Sequence, residues 1–166
     1  MRRTHLLVVA VVFTTLCGAA RAGAQTAVTW EGGIATLGQD FAGTLPQVGL
    51  RVAAIRPHRL NVDFALAVFP TILGEGALVA MPDLDVAYVL PAGEQVFVAP
   101  RVGVSALAGV GEGGGGALPG YNVGLGVVAR VQPTLAIRFD YTYRRLLVGE
   151  ESYPLTSLSF GIGWTH

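Results

Sequence analysis

Between Thr134 and Arg145 the chain alternates two chemistries on successive residues. Leu135, Ile137, Phe139, Tyr141 and Tyr143 form one face, and Ala136, Arg138, Asp140, Thr142 and Arg144 form the other. Successive side chains of a β-strand point to opposite sides of the pleat, so the period predicts a strand with an oily face and a polar face. The pattern recurs. Leu60, Val62, Phe64, Leu66 and Val68 alternate with Asn61, Asp63, Ala65 and Ala67. Leu84, Val86, Tyr88 and Leu90 alternate with Asp83, Asp85 and Ala87, and Tyr121, Val123, Leu125 and Val127 with Asn122, Gly124 and Gly126. At the end, Leu158, Phe160, Ile162 and Trp164 alternate with Ser157, Ser159, Gly161 and Gly163. Gly32 and Gly33 blur the period in the first such segment.

The breaks between these segments come in two sizes. Arg56–Arg59, Pro91–Glu94 and Gln132–Pro133 are short and each contains proline. Gly38–Pro46, Thr71–Ala80, Gly109–Pro119 and Leu146–Pro154 are longer, and they alternate with the short ones. Seven connections predict eight strands, near 27–37, 47–55, 60–69, 82–90, 95–107, 120–131, 134–145 and 155–165. Pro100 falls inside the fifth, where a missing N–H predicts a bulge. No linker and no repeat beyond the hairpins interrupts residues 25–166, which read as one domain.

Residues 1–24 read differently. Arg2 and Arg3 precede an apolar run from Leu6 to Leu16, followed by small residues and Ala-Gly-Ala at 22–24. A basic start, an apolar run of about 7–15 residues and a small-residue end describe a cleaved secretory signal. The run is shorter than the roughly 20 residues a membrane-spanning helix needs. Cleavage after Ala24 removes Cys17, the only cysteine, leaving a chain without disulfides. Lipid attachment at Cys17 is the alternative, and Leu16 before it fits that poorly.

Composition narrows the class. The chain is 52% hydrophobic and 13% charged, against about 25% charged in ordinary soluble domains. Lysine is absent, and residues 25–166 carry 8 arginines against 11 carboxylates, a formal charge of −3. No basic patch points to nucleic acid. A hydrophobic exported chain without a spanning helix crosses a bilayer as a closed barrel, in which every backbone hydrogen bond is made between strands. Alternation alone also fits a soluble barrel with its apolar face inward. Two features turn the apolar face outward. The polar face is mostly Gly, Ala and Ser, which suits a narrow interior and not a solvated surface. Aromatic residues also gather toward strand ends, Trp30, Tyr88 and Trp164 on the turn side and Tyr121, Tyr141 and Tyr143 on the loop side, as two interfacial girdles.

The expected fold is therefore all-β, an eight-stranded antiparallel up-and-down transmembrane β-barrel with short periplasmic turns and longer extracellular loops. The chain resembles the small eight-stranded outer-membrane β-barrel family, the group of the OmpA transmembrane domain and OmpX-like barrels, over all of 25–166. The most specific piece is Leu158–His166, where Leu158, Phe160, Ile162 and Trp164 look like the C-terminal β-signal read by the barrel assembly machinery. In the family that signal usually ends on the aromatic, whereas Thr165 and His166 follow Trp164 here. The resemblance implies the bacterial outer membrane as location and the assembly machinery as a partner during insertion.

The inward face collects Glu31, Asp63, Asp83, Asp85 and Asp140 with Arg51, Arg101, Arg130, Arg138 and Arg144. Charges in a narrow low-dielectric lumen persist only when paired and hydrogen-bonded, so an internal salt-bridge network is expected to plug it. A charged pore constriction is the alternative. Enzymes occur on this fold, including lipid A acyltransferases and deacylases, and acyl transfer wants a nucleophile beside a positioned base. The only histidines of residues 25–166 are His58, in a turn, and His166, the last residue. Ser152 shares a loop with Glu150 and Glu151 but with no histidine, so no catalytic residue is assigned. Gly109–Gly114 matches a dinucleotide-binding spacing, but no helix pattern follows it, and a mobile external loop is expected instead. No cofactor and no metal is expected; Asp83 and Asp85 suit arginine better than calcium. Asp40, Glu75, Glu112, Glu150 and Glu151 make the loops acidic, open to cation bridges with lipopolysaccharide. The reading is a monomeric, non-enzymatic barrel in contact with outer-membrane lipid and lipopolysaccharide, serving envelope integrity or loop-mediated surface interaction. A narrow ion or small-solute channel and a lipid A-modifying enzyme remain the alternatives.

Overall fold

The computed structural model describes residues 25–38, 43–73, 76–111 and 114–165. The signal segment, Cys17, Asp40, Glu75, Glu112 and His166 lie outside the described residues. The described strands are β1 (Gln25–Leu37), β2 (Gly43–Ile55), β3 (Leu60–Val68), β4 (Leu78–Tyr88), β5 (Leu90–Pro91), β6 (Val96–Gly111), β7 (Gly114–Gln132), β8 (Leu135–Val148) and β9 (Glu151–Thr165). A single helical turn, α1 (Pro70–Leu73), separates β3 from β4. Neighbours in sequence pair antiparallel, and β1 pairs with β9 as well as β2, which closes the sheet on itself. Closure removes every edge and so satisfies the backbone without water.

β4 and β5 are one barrel strand. Both pair with β6, and the register is the same at Ala87–Arg101 and at Leu90–Val98. Between them the ladder is interrupted opposite Ala99 and Pro100, and Pro100 has no N–H to give. On its other side Pro100 pairs regularly with Leu125. The expected bulge at Pro100 is therefore absent, and the proline opens a gap in the ladder without shifting register. Pro82 does the same, since β4–β6 pairing passes from Ala80–Ala108 to Asp83–Ser105. The register shift falls instead between Arg130 and Gln132 of β7. Eight strands thus close the barrel.

Several strands run further than alternation suggested. Gly109, Val110 and Gly111 pair with Gly116, Gly115 and Gly114, so most of the glycine-rich stretch expected as a loop is paired hairpin. The stretch expected as a loop over 146–154 narrows to Gly149 and Glu150, because Val148 pairs with Glu151. Gly149 has φ 61°, the positive value that the first position of such a two-residue turn favours. Glycine runs without alternation carry no periodic signal, and backbone pairing does not need one. At the opposite end, the Arg56–Arg59 turn is fastened by Asn61, whose side chain accepts from the Arg56 N–H and donates to the Arg56 and Arg59 carbonyls.

Burial decides the direction of the faces. Val62, Val102, Val123 and Phe160 are 61%, 58%, 50% and 53% exposed, whereas Asp63, Arg101, Asn122 and Arg138 are 1%, 4%, 0% and 3% exposed. The polar face is the inside. A soluble barrel would show the reverse.

Candidate functional site

The lumen is filled in three layers. Toward the short-turn end, Ala27, Ile55, Ala87, Val89, Phe97, Ala99, Val128 and Ala136 form a buried apolar cluster. Toward the opposite end, Ala35, Phe69, Met81, Leu146 and Leu155 form a second, with Leu45, Ala67, Ile72, Val79 and Leu107 packed against it. Phe69 reaches this cap by continuing the inward row of Asp63, Ala65 and Ala67; its N–H donates to the Val79 carbonyl at 3.2 Å. Charged side chains occupy the space between.

Arg138 of β8 and Asp63 of β3 belong to strands on opposite walls of the barrel, and Arg138 Nη2 donates to Asp63 Oδ2 at 2.8 Å. The pair spans the whole lumen. Arg138 Nε also donates to Asp140 Oδ2 at 2.6 Å, and Arg101 Nη1 contacts Asp140 Oδ1. Arg51 bridges Glu31 and Asp63, both at 2.7 Å, and Arg101 Nε stands 3.2 Å from Asp85. Nearer the apolar cap, Arg144 holds Asp83 through two parallel bonds at 2.5 and 3.0 Å and donates to Ser157. Such forked pairing fits the planar guanidinium to a carboxylate. Arg101 adds a bond to Thr142, Ser159 one to Glu31, and Asn122 one to Ser105.

The structure brings nine of the ten inward charges together and leaves one out. Arg130 lies at the turn end, stacked 4.6 Å over the Phe97 ring, with no ion pair among the described residues. Its place along the strand is the local reason: Arg130 pairs with Ala136 near the end of β7, beyond the level of the charged layer. The central layer then holds five carboxylates against four guanidiniums.

Strands β7 and β9 contribute little bulk to that layer, and this is their role. A Cβ on Gly126 would stand 2.8 Å from Asp140 Oδ1, 2.9 Å from Arg138 Nη2 and 3.0 Å from Arg101 Nη1. Glycine there makes room for three long side chains. Gly126→Val is expected to lower stability by about 2–4 kcal/mol, as overpacking at a polar network does. Urea unfolding of the refolded barrel, followed by tryptophan fluorescence, measures it; an unchanged midpoint would contradict the packing.

Two small cavities remain among the described lumen residues. A cavity of about 10 Å³ lies among Glu31, Gln47, Arg51, Asp83 and Arg144, and another of about 10 Å³ among Asp63, Phe97 and Arg138. Each has room for about one water molecule.

The outer face carries the aromatic residues. Tyr88 ends β4 and Trp164 stands one residue from the end of β9, but Trp30, 63% exposed, lies midway along β1. Tyr121, Tyr141 and Tyr143 lie inside the lengthened strands and not at their tips; Tyr141 pairs with Leu125 and Leu158, and Tyr143 with Val123 and Thr156. Leu158, Phe160, Ile162 and Trp164 point outward together, while Thr165 turns inward and donates to the Pro133 carbonyl at 2.9 Å. His58 sits in its turn with φ 58°. Ser152 accepts from Arg145 at 3.1 Å and has no histidine beside it among the described residues. No cluster of metal-ligating side chains occurs among the described residues.

Phe69, Met81, Leu146 and Leu155 were missed by the sequence reading, and inward parity was the available signal. Met81 and Leu155 continue the inward rows of Asp83–Asp85 and Ser157–Ser159, and Leu146 that of Arg144.

No protein-family model and no curated relative matches the sequence. Solved structures do match the fold. Ail, the attachment invasion locus protein of Yersinia pestis, superposes with a TM-score of 0.60 at 11% identity, over 86% of this chain and 99% of that one. The N-terminal β-barrel domain of Pseudomonas aeruginosa OprF gives 0.56 at 13%, over 84% and 98%. Neisserial surface protein A gives 0.55 at 16%, over 86% and 97%. The chain has the fold of the small eight-stranded outer-membrane β-barrels.

Proposed function

We propose that this protein is a non-conducting outer-membrane barrel whose lumen is sealed by its own side chains. It acts from its outer and rim surfaces, in envelope integrity or surface interaction, and performs no chemistry. One observation carries the reading: the Arg138–Asp63 pair crosses the lumen between two apolar layers. An eight-stranded barrel has an interior just wide enough for side chains, and here they occupy it. The fold shared with outer-membrane barrels and the outward apolar face support the location.

Planar-bilayer recording with the purified full chain tests the seal. The expected result is a baseline without stable openings. Reproducible nanosiemens-scale steps would instead support the narrow-channel reading and defeat this one.

A further inference from the structure

Outside the lumen, the barrel wall carries a hollow on a scale that fits a ligand. Three cross-strand rows line up there across β8, β9 and β1: Tyr141, Leu158 and Ile34; Tyr143, Thr156 and Thr36; then Arg145, Pro154 and Gly38. Tyr141, Tyr143 and Ile34 rise as walls, and Thr156, Thr36, Pro154 and Gly38 leave a low floor between them. The groove encloses about 370 Å³ and is mainly apolar. It lies on the face turned to lipid, near the end of the barrel that carries the Gly149–Glu150 turn.

Next to the groove, across from its lining residue Pro154 and one row past Tyr143, stands Arg145. Alternation puts Arg144 inside with Asp83 and Arg145 outside, the one arginine on an outward strand face among the described residues. Its guanidinium lies 5.8 Å from the Tyr143 ring centre and donates once, to Ser152 at 3.1 Å. It forms no ion pair among the described residues, so four of its five N–H donors stay free for an acceptor. Of the two acids in the neighbouring turn, Glu151 accepts from the Tyr153 hydroxyl, and Glu150 makes no ion pair with Arg145. A cation above an apolar groove in a membrane face matches an acyl lipid with an anionic head: the chain fills the groove and the phosphate meets the fork.

We infer that this groove is a binding site for one phosphate-bearing acyl lipid, its chain between Tyr141, Tyr143 and Ile34 and its phosphate on Arg145. The inference rests on the apolar outer face being lipid-facing and is independent of the lumen's seal.

Native mass spectrometry of the full chain, released from detergent micelles, tests it with phosphatidylglycerol and with a diacylglycerol of the same chains. One phosphatidylglycerol is expected to stay bound, at least about tenfold more tightly than the diacylglycerol, because a charge-assisted hydrogen bond holds its phosphate. Arg145→Gln should erase that preference and keep the weaker chain binding. Thr156→Trp, which fills the floor, should abolish both, while each variant keeps the heat-modifiable gel mobility of a folded barrel. A preference that survives Arg145→Gln would overturn the site, as would wild-type binding by folded Thr156→Trp or a second protein copy retained in place of lipid. Loss of the lipid site with bilayers still silent would leave the sealed lumen standing.

Discussion

Replacing Arg138 with glutamine is expected to destabilise the barrel by about 3–5 kcal/mol, the cost of breaking a buried ion pair from one side. The variant leaves Asp63 with Arg51 alone and strips one of three guanidiniums from Asp140, which keeps Arg101 and, at 3.9 Å, Arg51. Two buried carboxylates, each 1% exposed, would then have lost a cation with little solvent to replace it. Asp85→Asn is the informative contrast. Asp85 has one close partner, Arg101 Nε at 3.2 Å, and a distant one, Arg51 at 3.9 Å. Removing its charge leaves four carboxylates against four guanidiniums, so that variant should lie within about 1 kcal/mol of the parent, the spread of ordinary tolerated substitutions. Urea titrations of the folded barrel in micelles compare the two. Equal losses would show that the layer is not organised around Arg138.

The difference between these residues was only half visible in the chain. Arg138, Asp140, Asp63 and Arg51 stood out because a charge inside an apolar alternation has nowhere to go but the opposite face, and closure brings all opposite faces together. Which arginine meets which acid depends on barrel stagger, a property of register that alternation does not encode. Arg130 shows the cost: its parity is inward, yet it falls near the end of β7 and lies over the Phe97 ring. Strand ends were hidden for another reason. Gly109–Gly116 offers only Val110 and Glu112 among six glycines, too few side chains for a period, so a paired hairpin and a loop look alike in sequence. Pro100 misled because a lost N–H can be met by a bulge or by a break, and only the neighbouring register distinguishes them.

The apolar cap leads to the other large effect. Phe69 is 2% exposed among Met81, Leu146 and Leu155, and Phe69→Ala is expected to cost about 3–5 kcal/mol, as large-to-small changes in a packed core do. The barrel should nonetheless stay electrically silent. Below the cap, Arg144 still grips Asp83 and Ser157, and Arg138 still spans to Asp63, so water entering the upper cavity meets a second closed layer. Conductance should emerge only when cap and ionic layer are opened together, as in Phe69→Ala combined with Arg144→Ser and Arg138→Ser. Bilayer recordings on the single and combined variants separate the layers. Openings from Phe69→Ala alone would show that the cap, and not the lumen-spanning ion pairs, is what closes this barrel.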